Sequence, residues 1–298
     1  MTEYPLIPMF AVTGRPTRAE LRERLSALRG AKITQLLLYP RSGCELEYMS
    51  DAWLDCCETV TEEALSLGFT SLWLYDEYNW PSGQCGGRVQ SARPEYALET
   101  LVATPAADGR FSCRVERNPR FPNLLRPEAV ELFLELTHDR YAARLGKYFG
   151  GLIRGIFTDE PSPGYAGNYI ETGEGESRFY PWYPGVEDDY RAASGRTIEE
   201  GILPEFYYPL IGKRFRTVFF DRIRAWCDHH KLLFTGHLNA EGIAPEANRF
   251  NGDPLLAVTG LSLPGVDEIR TLVTPESIEW LTFGTARYGA ERRKNGAL

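Results

Sequence analysis

Short apolar runs of strand length alternate along the chain with amphipathic stretches of helix length, the pattern expected of a parallel α/β architecture. Residues 6–12, 33–39, 71–75, 153–158, 233–237 and 265–269 read as strands. The capping box Thr17-x-x-Glu20 opens a helix that Gly30 closes. Over residues 50–68, Trp53, Cys57, Val60, Ala64 and Leu67 recur three or four apart, which gives that helix one apolar face. Pro127 is a favourable first helical residue, and the helix it opens is predicted to run to Tyr148 and stop at Gly150-Gly151. Further helices are predicted over residues 211–230 and 276–293.

Counted this way the chain holds six strand-helix units, and a closed (β/α)8 TIM-type barrel needs eight. The expectation is therefore an incomplete barrel, a single catalytic unit over residues 1–298, C-terminally truncated, with a seventh strand expected after Leu298. Two stretches are too long for plain connections. Residues 84–125 read as a rim insertion with a β-hairpin around Ala107-Asp108-Gly109, and residues 162–208, rich in Gly, Tyr, Pro and acidic side chains, as a lid-like insertion. An open barrel bares strand edges, so poor solubility of the isolated chain is expected.

Composition narrows the partners. A formal charge of −8, with Lys and Arg not concentrated on any predicted face, argues against a nucleic-acid surface. The start, MTEYPLIPMF, has no basic region followed by a long apolar run, and no window approaches the roughly 18 apolar residues that span a bilayer. The chain thus reads as cytoplasmic, with no membrane partner. The six cysteines show no C-x-x-C spacing and read as reduced core thiols.

In parallel barrels the side chains that act on a substrate sit at the carboxyl ends of the strands. Those positions are polar here, most of them acidic: Asp76 and Glu77, then Asp159 and Glu160, then His237, Asn239 and Glu241, then Asp267 and Glu268. Sugar hydroxyls suit such a rim, because they both donate and accept hydrogen bonds. Glycoside hydrolysis needs one carboxylic acid to protonate the leaving oxygen and a second carboxylate opposite it. Glu160 is the candidate catalytic acid, since it follows an apolar strand beside Asp159, where burial and like charge raise a carboxyl pKa. Tyr75, Asp76, Glu77, Trp80, Asp159, His237, Asn239 and Glu241 are the candidate substrate-binding residues, with Trp80 offering an aromatic face to a pyranose ring. No cofactor or metal is expected, although His237 with its acidic neighbours leaves a metal site open as an alternative. His138, His229 and His230 lie on predicted helices and read as helix-face residues. The tyrosines and Trp182 of the second insertion suit either a sugar-stacking lid or a loop that anchors itself by its rings.

Four stretches resemble the barrel domain of the bacterial alpha-L-rhamnosidase-like enzymes, glycoside hydrolase family 106. They are Tyr48-Met49-Ser50-Asp51-Ala52-Trp53, the run from Trp73 to Glu77 on through Trp80-Pro81-Ser82-Gly83 to Gly86-Gly87, Gly155-Ile156-Phe157-Thr158-Asp159-Glu160-Pro161, and Gly236-His237-Leu238. The resemblance implies a (β/α)8 barrel that cleaves terminal glycosides, followed in a longer parent chain by C-terminal β-sandwich domains. Asp159-Glu160-Pro161 is similar to the Asn-Glu-Pro motif that supplies the acid from strand four in many barrel glycosidases, with Asp in place of Asn. The second carboxylate of such barrels commonly comes from strand seven, which would place it beyond Leu298. Two other readings compete: a sugar-binding barrel fragment without turnover, and a metal-dependent barrel hydrolase.

Overall fold

A computed structural model of the protein describes residues 6–164, 177–240 and 244–267. The chain begins with β1 (Met9–Gly14), α1 (Arg18–Gly30), β2 (Gln35–Cys44), α2 (Asp51–Ser66), β3 (Ser71–Tyr75) and α3 (Arg88–Ala92). It continues through β4 (Ala97–Pro105), β5 (Phe111–Pro122), α4 (Pro127–Leu136), α5 (His138–Leu145), β6 (Ile153–Asp159) and β7 (Arg178–Pro181). Then come α6 (Val186–Ser194), α7 (Pro204–Phe215), a π-helical turn (Arg216–Phe220), α8 (Asp221–His229) and β8 (Leu233–His237). The described residues end with α9 (Ala244–Asn251), α10 (Pro254–Ala257) and β9 (Leu263–Pro264).

The fold is mixed α/β around a six-stranded sheet of order β1-β2-β3-β6-β8-β9, and every adjacent pair in it is parallel. Among the described residues β1 and β9 are its edges. One face carries Val12, Leu36, Leu38, Leu72, Leu74, Ile156 and Phe234 into the main core, where α2 contributes Trp53 and the π-helical turn Phe219 and Phe220. Burying each such side chain contributes about 1.5–3 kcal/mol. The other face holds a smaller aromatic cluster of Leu37, Trp73 and Tyr75, with Tyr39 and Phe157 against it.

Local signals placed several boundaries well. The Thr17 to Glu20 capping box forms as expected, and Ser50 accepts the Trp53 N–H at the start of α2. Strands β3 and β8 have the expected bounds. Elsewhere the structure corrects the sequence. The helix expected over residues 127–148 is broken between α4 and α5, where the Thr137 hydroxyl bonds back to the Phe133 carbonyl. Such back-bonding competes with the helical ladder and bends it. The helix expected over 211–230 starts earlier, at Pro204, and carries the π-helical turn in its middle. The strand expected over 265–269 lies at Leu263–Pro264, and residues 265–267 are not in strand. Residues 268–269, the helix expected over 276–293, and Glu241 lie outside the described residues.

The two insertions are not independent. Strands β4 and β5 form the hairpin, and β7, from the stretch read as a lid, pairs antiparallel with β4 to complete a three-stranded sheet of order β5-β4-β7. Glu99, buried in β4, takes hydrogen bonds from Arg117, Arg126 and Asn123, so its charge is compensated. In the second insertion Tyr180 and Tyr183 are buried, and Trp182 Nε1 donates to Glu187. Tyr165 and Tyr169 lie outside the described residues. All six cysteines are free thiols. Among the described residues no helix is long and apolar enough to cross a membrane.

Candidate active site

Parallel pairing of β6 with β8 sets Asp159 opposite His237 at the carboxyl ends of the two strands. Glycine makes this close approach possible. At Gly236, φ is +146°, and a Cβ there would stand 2.0 Å from the Thr158 carbonyl oxygen. Asp159 is then engaged at four atoms. Its Oδ1 lies 3.0 Å from His237 Nε2, and its Oδ2 accepts the Tyr75 hydroxyl at 2.5 Å. Its backbone N–H donates to Ser82 Oγ at 2.8 Å, and its carbonyl accepts the Ser82 N–H at 2.7 Å. Tyr75 is steadied in turn: its ring stacks on Phe157 with centroids 6.0 Å apart, and its carbonyl accepts the Tyr141 hydroxyl at 3.1 Å.

Glu160 follows directly, half-buried, with Asn239 Nδ2 donating to its Oε2 at 3.3 Å. Its φ of +48° lies in the left-handed region, as does that of Ala240 at +57°. Non-glycine residues there are uncommon and concentrate at functional sites. Strand β8 ends at His237, and Ala240 has a positive φ. Asn239 reaches Glu160 from a turn.

Asp76 and Glu77, expected as substrate-binding residues, lie inside the loop after β3, and Ser82 links Asp76 to Asp159. Both are fully buried. Asp76 Oδ1 accepts the Ser82 hydroxyl at 2.5 Å, and burial pushes the Asp76 carboxyl well above its ordinary range. Glu77 accepts four backbone N–H groups, from Tyr78, Gln84 and Cys85 at 2.9 Å each and from Gly86 at 2.5 Å. Burial still pushes its pKa up to about 7 against these four bonds. Glu77 is thus the staple of the loop after β3, with its lone pairs committed to that loop. Burial raises the Tyr75 hydroxyl as well, with the Asp159 charge adding to it.

Ser82 is the residue the sequence did not single out. It joins the β3 loop to Asp159 through two bonds and to Asp76 through a third, although 77 positions separate it from Asp159. Only its place in a Pro-Ser-Gly turn marked it. Trp80, by contrast, is 43% exposed on this loop and lines a cavity of about 520 Å³ with Tyr78, Gln84, Gln90, Arg120 and Phe121. Neither Asp159 nor His237 lines that cavity.

Glu160, His237 and Asp267 each bring one ligand atom within 4.8 Å of the others, a mixed nitrogen and oxygen set of the kind that holds a divalent transition metal. Both ring nitrogens of His237 already face oxygens, Nε2 the Asp159 carboxylate at 3.0 Å and Nδ1 the Leu238 carbonyl at 3.3 Å, so a metal there would have to displace one of these partners. His138 belongs elsewhere. It is buried at the start of α5 against Phe133 and Trp226, and burial pushes its pKa down to about 3, so the helix face it occupies is the one turned to the core.

No protein-family profile and no curated protein matches the chain. Among solved structures it is similar to the catalytic domain of beta-amylase from Paenibacillus polymyxa, with a TM-score of 0.41 and 12% identity over 95% of this chain and 90% of that one. A likeness of that size assigns neither an activity nor a residue role.

Proposed function

We propose that this chain carries the catalytic site of a glycoside hydrolase that cleaves terminal glycosides, of the alpha-L-rhamnosidase-like kind, with Glu160 as general acid. The observation that carries the reading is the meeting of Asp159, Glu160, His237 and Asn239 across the carboxyl ends of two adjacent parallel strands. That end of a parallel α/β sheet is where substrates bind, because loops there can vary while the strands hold their first residues rigid. Glu160 is half-buried, bonded by one amide and on strained backbone, so it is held for a task that solvent exposure alone would not require. Asp159 has both carboxylate oxygens engaged and acts as the orienting group for His237 and Tyr75. Glu160→Gln, assayed on a panel of aryl glycosides, is expected to lower the rate by about 10²-fold or more, the size of a general-acid contribution. Near-normal turnover would remove Glu160 from the mechanism.

A second reading, a metal-dependent hydrolase, is favoured by one observation. Ligand oxygens of Glu160 and Asp267 approach within 4.8 Å, closer than the roughly 5–9.5 Å that separates paired glycosidase carboxyls. Elemental analysis of the purified protein separates the two. A stoichiometric transition metal that chelation removes together with activity supports the second reading. Full activity after chelation supports the first.

A further inference from the structure

We propose that Ser82 and Ser162 are positioning residues that clamp the backbone on either side of Glu160 and so hold its carboxyl in place for the reaction. The inference rests on the reading of Glu160 as the reacting acid and adds how the fold fixes that acid. It starts from the conformation of Glu160. A φ of +48° puts this residue in the left-handed region, and proline follows it at position 161. The ring of a proline crowds the residue before it and ordinarily drives that residue to extended backbone. Glutamate gains nothing locally from the left-handed region, so the conformation persists because its surroundings impose it.

Two buried serines supply that constraint. Before Glu160, Ser82 meets Asp159 at both backbone atoms: its N–H donates to the Asp159 carbonyl at 2.7 Å, and its Oγ accepts the Asp159 N–H at 2.8 Å. The Ser82 hydroxyl proton is committed to Asp76 Oδ1 at 2.5 Å, which leaves a lone pair facing Asp159. Asp76, fully buried, thus sets the rotation of that hydroxyl. After Glu160, the Ser162 hydroxyl donates to the Phe250 carbonyl at 2.7 Å, and the same carbonyl accepts the Gly164 N–H at 3.1 Å. At Gly164 a Cβ would stand 2.4 Å from the Arg249 carbonyl, so the segment after Glu160 lies directly on the end of α9. That helix end also steadies the Glu160 side chain. Asn251 Nδ2 donates to the Asn239 carbonyl at 2.7 Å, and Asn239 Nδ2 donates to Glu160 Oε2. The chain is therefore fixed just before Glu160 by the loop after β3 and just after it by α9. Both serines act through main-chain bonds, so their effect is on where the Glu160 carboxyl stands.

The test is Ser82→Ala and Ser162→Ala, made separately in the full chain and compared with the parent. On the aryl glycoside panel each is expected to lower kcat by about 10–100-fold, the size of a displaced catalytic group, while KM changes by less than about 3-fold. Amide hydrogen exchange over residues 156–164 is expected to quicken by about 5-fold or more, since each variant removes a bond that holds the stretch closed. Thermal melts establish that each variant is folded at the assay temperature, and Ser162→Ala, which leaves the loop after β3 untouched, carries the test if Ser82→Ala does not fold. Parental kcat in the folded variants, or a raised KM with kcat unchanged, would overturn the clamp. Exchange is read without any activity. If the parent hydrolyses none of the panel, the glycosidase reading fails by itself; quickened exchange then still upholds the clamp, and exchange at the parental rate in both variants overturns it.

Discussion

His237 Nε2 lies 3.0 Å from Asp159 Oδ1, at the point where two adjacent parallel strands end. The same carboxylate takes the Tyr75 hydroxyl on its other oxygen. Asp159→Asn keeps the shape but removes the charge and puts an amide N–H₂ where one of these donors points. The expected result is a fall in aryl glycoside hydrolysis of about 10–100-fold, the usual size for an orienting partner one step from the reacting groups. Tyr75→Phe, which removes one of the two donors, is expected to cost less. An unchanged rate in Asp159→Asn would detach this pair from the chemistry.

Glu77→Gln tests the loop staple. Glutamine has one acceptor oxygen where glutamate has two, so two of the four N–H donors would face an N–H₂ group. With about 1–3 kcal/mol for each buried donor left unsatisfied, a loss of several kcal/mol is expected in chemical denaturation. Limited proteolysis is expected to open a new cut between residues 78 and 87. A variant as stable and as resistant as the parent would mean that the loop has another anchor.

Gly236→Ala tests the approach of β8 to β6. The added Cβ would collide with the Thr158 carbonyl, on a backbone that L-residues rarely adopt. A destabilisation of at least about 2 kcal/mol is expected, because the obstacle is backbone and cannot swing aside. Gly14→Ala is the contrast. Its φ is also positive, but open space surrounds the position, so only the smaller conformational cost applies. Equal stabilities of the two variants would count against the packing argument.

Stability against pH tests His138. Its pKa is pushed down to about 3 from an ordinary 6.5, so the unfolded chain binds its proton first as pH falls. The stability it contributes is present above pH 6.5 and is lost as pH falls toward 3, with a slope of at most about 1.4 kcal/mol per pH unit. Glu77 works in the opposite sense. Its pKa is raised from 4.5 to about 7, so its contribution is present below 4.5 and is lost as pH rises through 7. His138→Phe is therefore expected to gain on the parent progressively below pH 6.5 in denaturant melts. A constant difference from pH 7 to pH 4 would show that His138 does not titrate with unfolding.

How far the site could be read beforehand depends on the range of the interactions that build it. The acidic ends of β3 and β6, the His that ends β8 and the Asn after it were visible because an apolar run followed by a polar turn marks a strand end wherever it lies. What Asp76 and Glu77 do there was not visible. Their neighbours suggested a rim, whereas four N–H groups of the following loop and the hydroxyl of Ser82 draw both carboxylates inside.

The sequence by itself determined most of the elements, for a physical reason: caps, turns and amphipathic faces are satisfied within a few residues, as Thr17 with Glu20 and Ser50 with Trp53 illustrate. Tertiary structure decided the rest. The union of β7 with the β4 and β5 hairpin, the break at Thr137 and the joining of Ser82 to Asp159 all depend on which surfaces meet. Strand register is set by packing across the sheet, and a slip of one residue would turn Asp159 and His237 to opposite faces.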